Sequence, residues 1–495
     1  MHLILGGPGC GKTTRLLNIM EDELERGIKP ERLAFVSFTK KAVGEAEARA
    51  CEKFACVPKQ LPYFRTIHSL AYRMLGIQRG EMMEHKHWNE VGKVLGYEFS
   101  YATSMDEGGL PTGREKGDLI RFMEQLARAR CVSIEQQIRD SREEVTPQEF
   151  KRYSDTLLAY KKDTGLMDFS DLLEQYVSRG MACPVDVAII DEAQDLSRIQ
   201  WKVIKTAFKG AQRVYVGGDD DQAIFRWAGA DVDTFLNLKG TKEILDKTHR
   251  LPRHLYGYSQ MIVSRLSQRY EKKATPRDTQ GSLNRLGSWE NAPIADGGTW
   301  MLLARNSFYL APLKEYLHSA GLPYATHKGT SINADHLKAI ISWERLRKGE
   351  SLSAEDIRDV YDLMNPAKGH KLLPGVPDDA QLTLAQLREK HGCQTDEPWH
   401  DALIKIPLRD RVYYRAIKRR GEALARPPRI YIGTIHSVKG GEADNVLLIP
   451  NLTQRTWEDF ERSPDDEHRT FYVGATRAKE SLFLVAPNGA RHYTV

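Results

Sequence analysis

No stretch of this 495-residue chain approaches the length of apolar sequence that spans a bilayer, and the N-terminus enters a short apolar strand without a secretory leader. A membrane protein and a secreted one are therefore not expected, and the compartment expected is the cytoplasm. Cysteine is scarce: Cys10, Cys51, Cys56, Cys131, Cys183 and Cys393 are scattered, with no C-x-x-C pair. Cys51 and Cys56 stand closest, and a lone pair at that spacing does not argue for zinc. The expectation is a reducing environment with neither a disulfide framework nor a structural metal. An excess of one charge is also missing, with 72 Lys and Arg against 67 acids and a net charge of +5. That balance permits a polyanionic partner without arguing for one. There is no low-complexity tract and no repeat of solenoid period. The composition, 41% hydrophobic and 28% charged, is that of a folded globular protein rather than a disordered one. Its length is enough for roughly two to four domains.

The most informative segment begins at Gly6. Leu3-Ile4-Leu5 reads as a buried strand that runs into Gly6-Gly7-Pro8-Gly9-Cys10-Gly11-Lys12-Thr13-Thr14 and then into the helix-forming Arg15–Met20. The spacing is that of a phosphate-binding P-loop, G-x-x-x-x-G-K-[ST]. Glycines let successive backbone N–H groups converge on a phosphate with no side chain in the way. Lys12 suits the terminal phosphates, and the Thr13 hydroxyl suits a Mg²⁺ ion that also holds phosphate oxygens. A hydrolysing P-loop needs an acidic partner, and Val187-Ala188-Ile189-Ile190-Asp191-Glu192 supplies one. An apolar run ending in two acids reads as a buried parallel strand with carboxylates at its C-terminal edge, where ligands of open α/β sheets sit. Asp191 is expected to hold Mg²⁺ through water, and Glu192 to orient or deprotonate the attacking water.

Strand-like runs at 33–37, 185–190, 213–216, 301–304, 430–433 and 446–449 alternate with helical patterns, which predicts parallel sheets covered by helices. They fall into two groups, before about residue 260 and after about residue 280, so two such sheets are expected. Residues 80–175 read as mostly helical, with a loop at Glu107–Gly113; residues 330–425 are again helix-rich, with breaks at Asn365-Pro366 and Leu373-Pro374-Gly375. Each sheet thus carries one inserted subdomain.

Taken in order, further segments resemble the UvrD/Rep-like branch of superfamily 1 DNA helicases. Phe35–Ala42 is similar to that family's motif Ia, Thr66–Leu70 to motif Ib, and Met167–Leu173 to the acidic segment before motif II. Asp191–Asp195 (DEAQD) resembles motif II, Val216–Trp227 motif III, Leu245–Arg250 motif IV, Thr434–Glu442 motif V and Arg469–Ala478 motif VI. The resemblance implies two RecA-like motor domains: 1–79 with 176–260, and 261–329 with 426–495. It makes 80–175 and the short 330–425 their insertions. It implies an ATP-dependent helicase moving 3′-to-5′ on single-stranded DNA, acting at single-strand/duplex junctions, with Mg²⁺. Gln222 is then the amide that bridges the γ-phosphate or the attacking water to its neighbours, Arg250 and Arg477 are arginine fingers, and Glu442 contacts the ribose. Phe38, Phe225 and Trp227 resemble the base-stacking platform, a sequence-tolerant contact suited to translocation. Thr39, His68, Thr434 and His436 look like phosphate or sugar contacts. Each aromatic taken alone reads more readily as core.

The chain also departs from the family pattern. The family's adenine-reading Gln lies upstream of the P-loop, where this chain has no segment. The aromatic before the motif IV arginine is replaced by His249, a narrower stacking partner for the base, and Ala228 replaces the arginine common after the motif III Trp. Weak discrimination between ATP and GTP is the expectation. Past motif VI, Ser481–Ala486 reads as a strand, Pro487-Asn488-Gly489 as a turn, and Tyr493 falls near the family's strand-separating wedge. With only Ser481–Val495 left, a returning strand, a nuclease domain and a partner-binding tail are not expected; an accessory partner is left open. Two other functions stay open: a DNA-stimulated ATPase that remodels protein–DNA complexes, and a P-loop kinase, which would leave motifs III, V and VI without a role.

Overall fold

The computed structural model describes residues 1–100, 115–141, 145–364 and 375–494. The loop expected at Glu107–Gly113 and the breaks expected at Asn365-Pro366 and Leu373-Pro374 lie outside them. By internal packing the chain divides into two units: Met1–Leu283 with Gln454–Glu480 and the last residues from Tyr493, and Asn284–Thr453 with Ser481–His492.

The first unit is built on six parallel strands, β1 (His2–Leu5), β2 (Leu33–Ser37), β3 (Phe64–Thr66), β4 (Val187–Asp191), β5 (Arg213–Gly218) and β6 (Thr241–Ile244), in the order β3-β2-β4-β5-β1-β6. Every residue of β2 and β4 is buried, the signature of strands covered on both faces. The period of two sorts their side chains. Ile4, Phe35 and Ile189 meet Leu16, Leu17 and Met20 of α1 (Lys12–Glu25) and Val43, Ala46 and Ala50 of α2 (Lys40–Phe54). Leu3, Val36 and Ile190 meet Leu70 of α3 (Ile67–Leu75) on the opposite face. The register aligns Ser37 with Asp191, and Leu5 with Gly218 and Ile244, so the carboxyl ends share one edge.

Between β3 and β4 lie α4 (His85–Leu95), α5 (Lys116–Arg130), α6 (Ile134–Asp140), α7 (Pro147–Thr164) and α8 (Phe169–Arg179). The insertion has its own core of Trp88, Phe99, Ile120, Met123, Phe150 and Tyr153. Leu172, Leu173 and Tyr176 of α8, however, pack into the sheet's core, as do Trp201 and Val203 of α9 (Arg198–Ala207).

Motif IV is a strand, β7 (Lys247–Pro252), paired with β8 (Thr275–Arg277). The helix Arg253–Val263 after it packs against the helix Pro464–Ala475. By internal packing, residues 261–283 and 454–480 group with the first unit, although β9 (Ser282–Leu286) and β17 (Ala478–Val485) pair in the second unit's sheet. The reason is polar as well as apolar: Arg469, 1% exposed, donates to the Asp220 carbonyl at 3.0 Å and the Gln268 carbonyl at 3.1 Å.

The second unit's sheet runs β12 (Gly329–Thr330), β11 (Tyr324–Thr326), β15 (Ile430–Thr434), β10 (Trp300–Ala304), β16 (Ala443–Ile449), β17 (Ala478–Val485) and β9 (Ser282–Leu286). The fully buried β10 is parallel to both its neighbours. Between β12 and β15 lie several helices, with a small antiparallel ladder of β13 (Leu352–Ser353) and β14 (Gln381–Leu382), around Trp343, Trp399, Tyr413 and Tyr414. After the turn at Pro487–Gly489 the chain does not return along β17 as a wedge hairpin. It pairs with Asn451 and Leu452 instead, Asn451 Nδ2 donating to the Asn488 carbonyl at 2.7 Å and Leu452 N to the Arg491 carbonyl at 3.0 Å. The α/β class with parallel sheets matches the strand–helix alternation in the sequence. No described helix is long and apolar enough to cross a membrane.

Candidate functional site

The loop from β1 to α1 turns through Gly9 and Gly11, both in the left-handed region at φ +69° and +77°. Gly9 has a second reason to be glycine, since a Cβ there would lie 2.4 Å from the Arg250 Cβ. Gly11 caps α1 without a side-chain hydrogen bond, so the helix's first N–H groups face the loop, as anion binding requires. Lys12 Nζ donates to the carbonyls of Gly6 (2.9 Å) and Gly7 (3.1 Å). The motif IV strand braces the loop from outside: Thr248 Oγ1 donates to the Pro8 carbonyl at 2.7 Å and His249 N to the Gly9 carbonyl at 2.9 Å. Cys10 is buried, and burial raises its thiol pKa; Thr14 is exposed on the first turn of α1.

Asp191 ends β4 beside this loop, 1% exposed, and accepts from Thr13 Oγ1 at 3.0 Å. Burial, and then the neighbouring Glu192 carboxylate, push it up to about 7. A hydroxyl and a buried carboxylate side by side form an all-oxygen donor set that fits Mg²⁺. Glu192 takes a left-handed backbone, φ +53°, and its carboxylate accepts from Gln194 Nε2 at 2.5 Å. The other end of the Gln194 amide accepts from Asp219 N at 3.0 Å. Asp219 in turn accepts from Gln222 Nε2 at 2.6 Å, and Gln222 Oε1 accepts from Arg477 Nη2 at 2.8 Å. Arg477 is 1% exposed, and Arg250 Nη1 donates to the Thr476 carbonyl at 3.4 Å. Lys12, Thr13, Asp191, Glu192, Gln222, Arg250 and Arg477 are thus all gathered in the first unit.

Sequence reading missed what holds this chain of bonds in place. Lys272, buried, pairs with Asp219 (3.2 Å), Asp221 (3.2 Å) and Asp220, and Arg269 makes a two-point contact with Asp221 at 2.8 and 2.6 Å. The three carboxylates are close enough to share a cation, and the Lys272 ammonium stands among them. Burial works to raise Asp219, but Lys272 and Lys12 outweigh it and leave it below its ordinary value. These cations lie some fifty residues beyond motif III in a charged segment with no local pattern to mark them.

Beside the sheet edge, Phe38, His68, Phe169 and Phe225 line a cleft of about 130 Å³. Phe38 and Phe225 are stacked, 6.0 Å apart at 19°, and His68 meets Phe169 edge-on at 5.7 Å. Phe169 is 56% exposed; its segment reads as acidic, and its only sequence signal is a large aromatic directly after Asp168, which caps α8. Trp227 is half-buried between Phe122 (6.3 Å) and Phe225 (6.5 Å) and does not line the cleft. Thr39 is exposed and caps α2, accepting from Ala42 N at 3.2 Å.

In the second unit Thr434 is half-buried, Glu442 is exposed before β16, and His436 is buried, presenting little surface to a strand. Tyr493 corrects the wedge expectation. It is 5% exposed, stacked on Phe471 at 4.1 Å and 4°, with its hydroxyl 2.8 Å from His468 Nδ1. A wedge has to present its ring, and this ring is interior.

Two family descriptions match the chain: the UvrD/REP helicase N-terminal domain over residues 1–243 and the UvrD-like helicase C-terminal domain over residues 401–488. The chain belongs to the UvrD/Rep-like helicases. Among relatives of this helicase is a Bacillus subtilis protein, YjcD, provisionally named an ATP-dependent DNA helicase. It is 24% identical, with 99% of this chain and 78% of the relative covered. DNA helicase II of Escherichia coli and the ATP-dependent DNA helicase PcrA of Bacillus subtilis are each 23% identical over 70% of this chain, and over 52% and 51% of their own lengths. The N-terminal match covers the Gly6–Thr14 loop, Asp191–Asp195 and motif III, the C-terminal match covers motifs V and VI, and motif IV with Arg250 lies between the two.

Proposed function

We propose that this DNA helicase hydrolyses ATP to move 3′-to-5′ along single-stranded DNA and to separate duplex at single-strand/duplex junctions. The observation that carries the catalytic part is the continuous bond path Thr13–Asp191, Glu192–Gln194–Asp219–Gln222–Arg477. Lys12 and the loop N–H groups hold the phosphates, and Glu192, oriented by Gln194, takes a proton from the attacking water. Gln222 fixes the position of that water between Asp219 and Arg477. Arg250 and Arg477 take up charge developing on the transferred phosphoryl oxygens. Thr13 and Asp191 would hold Mg²⁺, which supplies charge neutralisation at the phosphates. On the DNA side, Phe38, Phe169 and Phe225 offer ring faces for stacking, with Thr39 and His68 beside them as backbone contacts. A cavity of about 150 Å³ takes a benzene ring, so the cleft suits about one ring system.

The test is ATPase activity with and without single-stranded DNA, followed by unwinding of forks with a 3′ or a 5′ tail. Stimulation by DNA and unwinding from the 3′ tail alone are expected. Absence of stimulation overturns the motor, and unwinding from the 5′ tail overturns the polarity. A second reading, an ATPase that strips proteins from DNA with little duplex separation, is favoured by the buried Tyr493. It predicts strong DNA stimulation with weak fork unwinding.

A further inference from the structure

One wall of the aromatic cleft comes from the insertion. Arg121 and Gln125 lie one turn apart on the same face of α5, and both line the cleft. Neither side chain makes a hydrogen bond among the described residues. Arg121 lays its guanidinium over the Trp88 ring at 3.9 Å, and its Nε is buried with no hydrogen-bond partner among the described residues. Gln125 is 9% exposed and makes no hydrogen bond among the described residues. Arg128, which lines the same cleft, is the contrast: it is spent on Glu124, Asp168, Asp171 and Glu174. The cleft's two carboxylates also hold donors, Glu174 from Arg128 and Asp195 from Gln194. A buried donor without a partner is costly in a folded protein and calls for an explanation. Stacking on Trp88 and the nearby carboxylates of Asp168, Asp118 and Glu124 answer for the charge of Arg121 and leave its Nε without a hydrogen bond among the described residues.

We propose that Arg121 and Gln125 form a hydrogen-bonding wall for a DNA strand whose base enters this cleft, a role that rests on the single-stranded DNA reading above. Arg121 brings a planar fork of donors, and Gln125 a donor and an acceptor. The rings opposite, Phe38 and Phe225, supply stacking, which is indifferent to sequence; the α5 wall supplies the groups that are not. The acceptors Arg121 meets are oxygens or nitrogens of the strand, from a phosphate or from a purine edge. Arg pairs in two-point fashion with guanine O6 and N7, and Gln with adenine N6 and N7.

The experiment measures binding of labelled single-stranded oligonucleotides of purine and pyrimidine composition by fluorescence anisotropy over a salt series. It compares the full chain with Arg121→Met and Gln125→Leu, each checked by its melting temperature. Arg121→Met is expected to weaken binding about tenfold. If the acceptor is phosphate, the loss is equal for all compositions and the slope of log affinity against log salt falls by about 0.7. If it is a base edge, the slope is unchanged and the loss falls on purine strands, with Gln125→Leu costing most on adenine. Either pattern supports the wall. Wild-type affinity, salt slope and composition dependence in both folded variants overturn it and return Arg121 to packing on Trp88. Should Arg121→Met fail to fold, Arg121→Lys keeps the charge over Trp88 and loses the fork: weaker binding supports the wall, and wild-type affinity overturns it. A wild-type chain that binds none of the oligonucleotides overturns the DNA reading itself, and is read first.

Discussion

Arg477 spends Nε on the Val473 carbonyl of its own helix, at 3.0 Å, and Nη2 on Gln222, so its head group is held before any substrate arrives. Arg477→Ala is expected to lower ATP turnover on the order of 10³-fold, while Arg477→Lys, which keeps charge without the fork, recovers part of it. A loss below about tenfold in a variant that melts normally would remove Arg477 from the reaction. His249 makes a different kind of prediction. Its backbone N–H braces Gly9 and its ring is exposed beside the loop, so His249→Ala is expected to raise the KM for ATP severalfold with kcat unchanged, as loss of uniform binding does. An unchanged KM would show that the ring does not touch the base. At this scale the loop and the Asp191–Glu192 pair were legible because their chemistry is local: glycine spacing on one side, an apolar run ending in acids on the other. Lys272, Arg269 and Phe169 were not. The first two act across about fifty residues of sequence, and the third is a ring whose role depends on a helix from elsewhere in the chain coming to face it.

Helices α5 and α8 are joined by a buried charge cluster in which Arg128 and Lys161 face Asp168 and Asp171. Glu124 sits at its edge with Oε2 buried and without a hydrogen-bond partner among the described residues. Burial, opposed by Arg128, pushes it up to about 7, against roughly 4.3 for an unfolded glutamate. Between those values the folded chain holds a proton that the unfolded chain has lost. The stability this supplies is complete below about pH 4.3 and is lost as pH rises through about 7. Glu124→Gln keeps the shape and removes the titration. The difference in melting temperature between variant and wild type is therefore expected to grow in the variant's favour from about pH 5.5 to about pH 8; a difference constant across that range would mean Glu124 does not titrate there. The stretch was legible as mostly helical, and the structure shows what starts two of its helices, Thr146 with Glu149 and Asp168 with Asp171, each pair a reciprocal cap. The edges were less so. α8 lies largely inside the expected insertion yet packs on the sheet, because helical periodicity tells which face is apolar and not which neighbour covers it.

At the scale of the whole chain, motif order was legible, while packing between motifs far apart in sequence was not. Motif VI comes last in the sequence, and its residues Arg469 and Arg477 are nonetheless buried against motif III in the first unit. After Glu480 the chain enters the second unit, and it returns to the first at Tyr493. That return is held by Tyr493, stacked on Phe471, bonded to His468 and flanked by Phe460 at 5.8 Å, and by Arg265, which donates to the Thr494 carbonyl. Tyr493 therefore acts on stability through the helix that carries Arg477. Tyr493→Ala is expected to cost about 3–5 kcal/mol, the range for removing a large buried ring, and Tyr493→Phe only about 1 kcal/mol for the lost hydroxyl bond. Because the damage falls on the helix that positions Arg477, ATPase and unwinding in Tyr493→Ala should decline together as temperature rises, with Tyr493→Phe close to wild type in both. A strand-separating wedge makes the opposite forecast: unwinding lost at low temperature, with DNA-stimulated ATPase and melting temperature intact. Measuring both activities and the melting curve on the same two variants decides between them, and the wedge pattern would mean that Tyr493 leaves the interior during turnover.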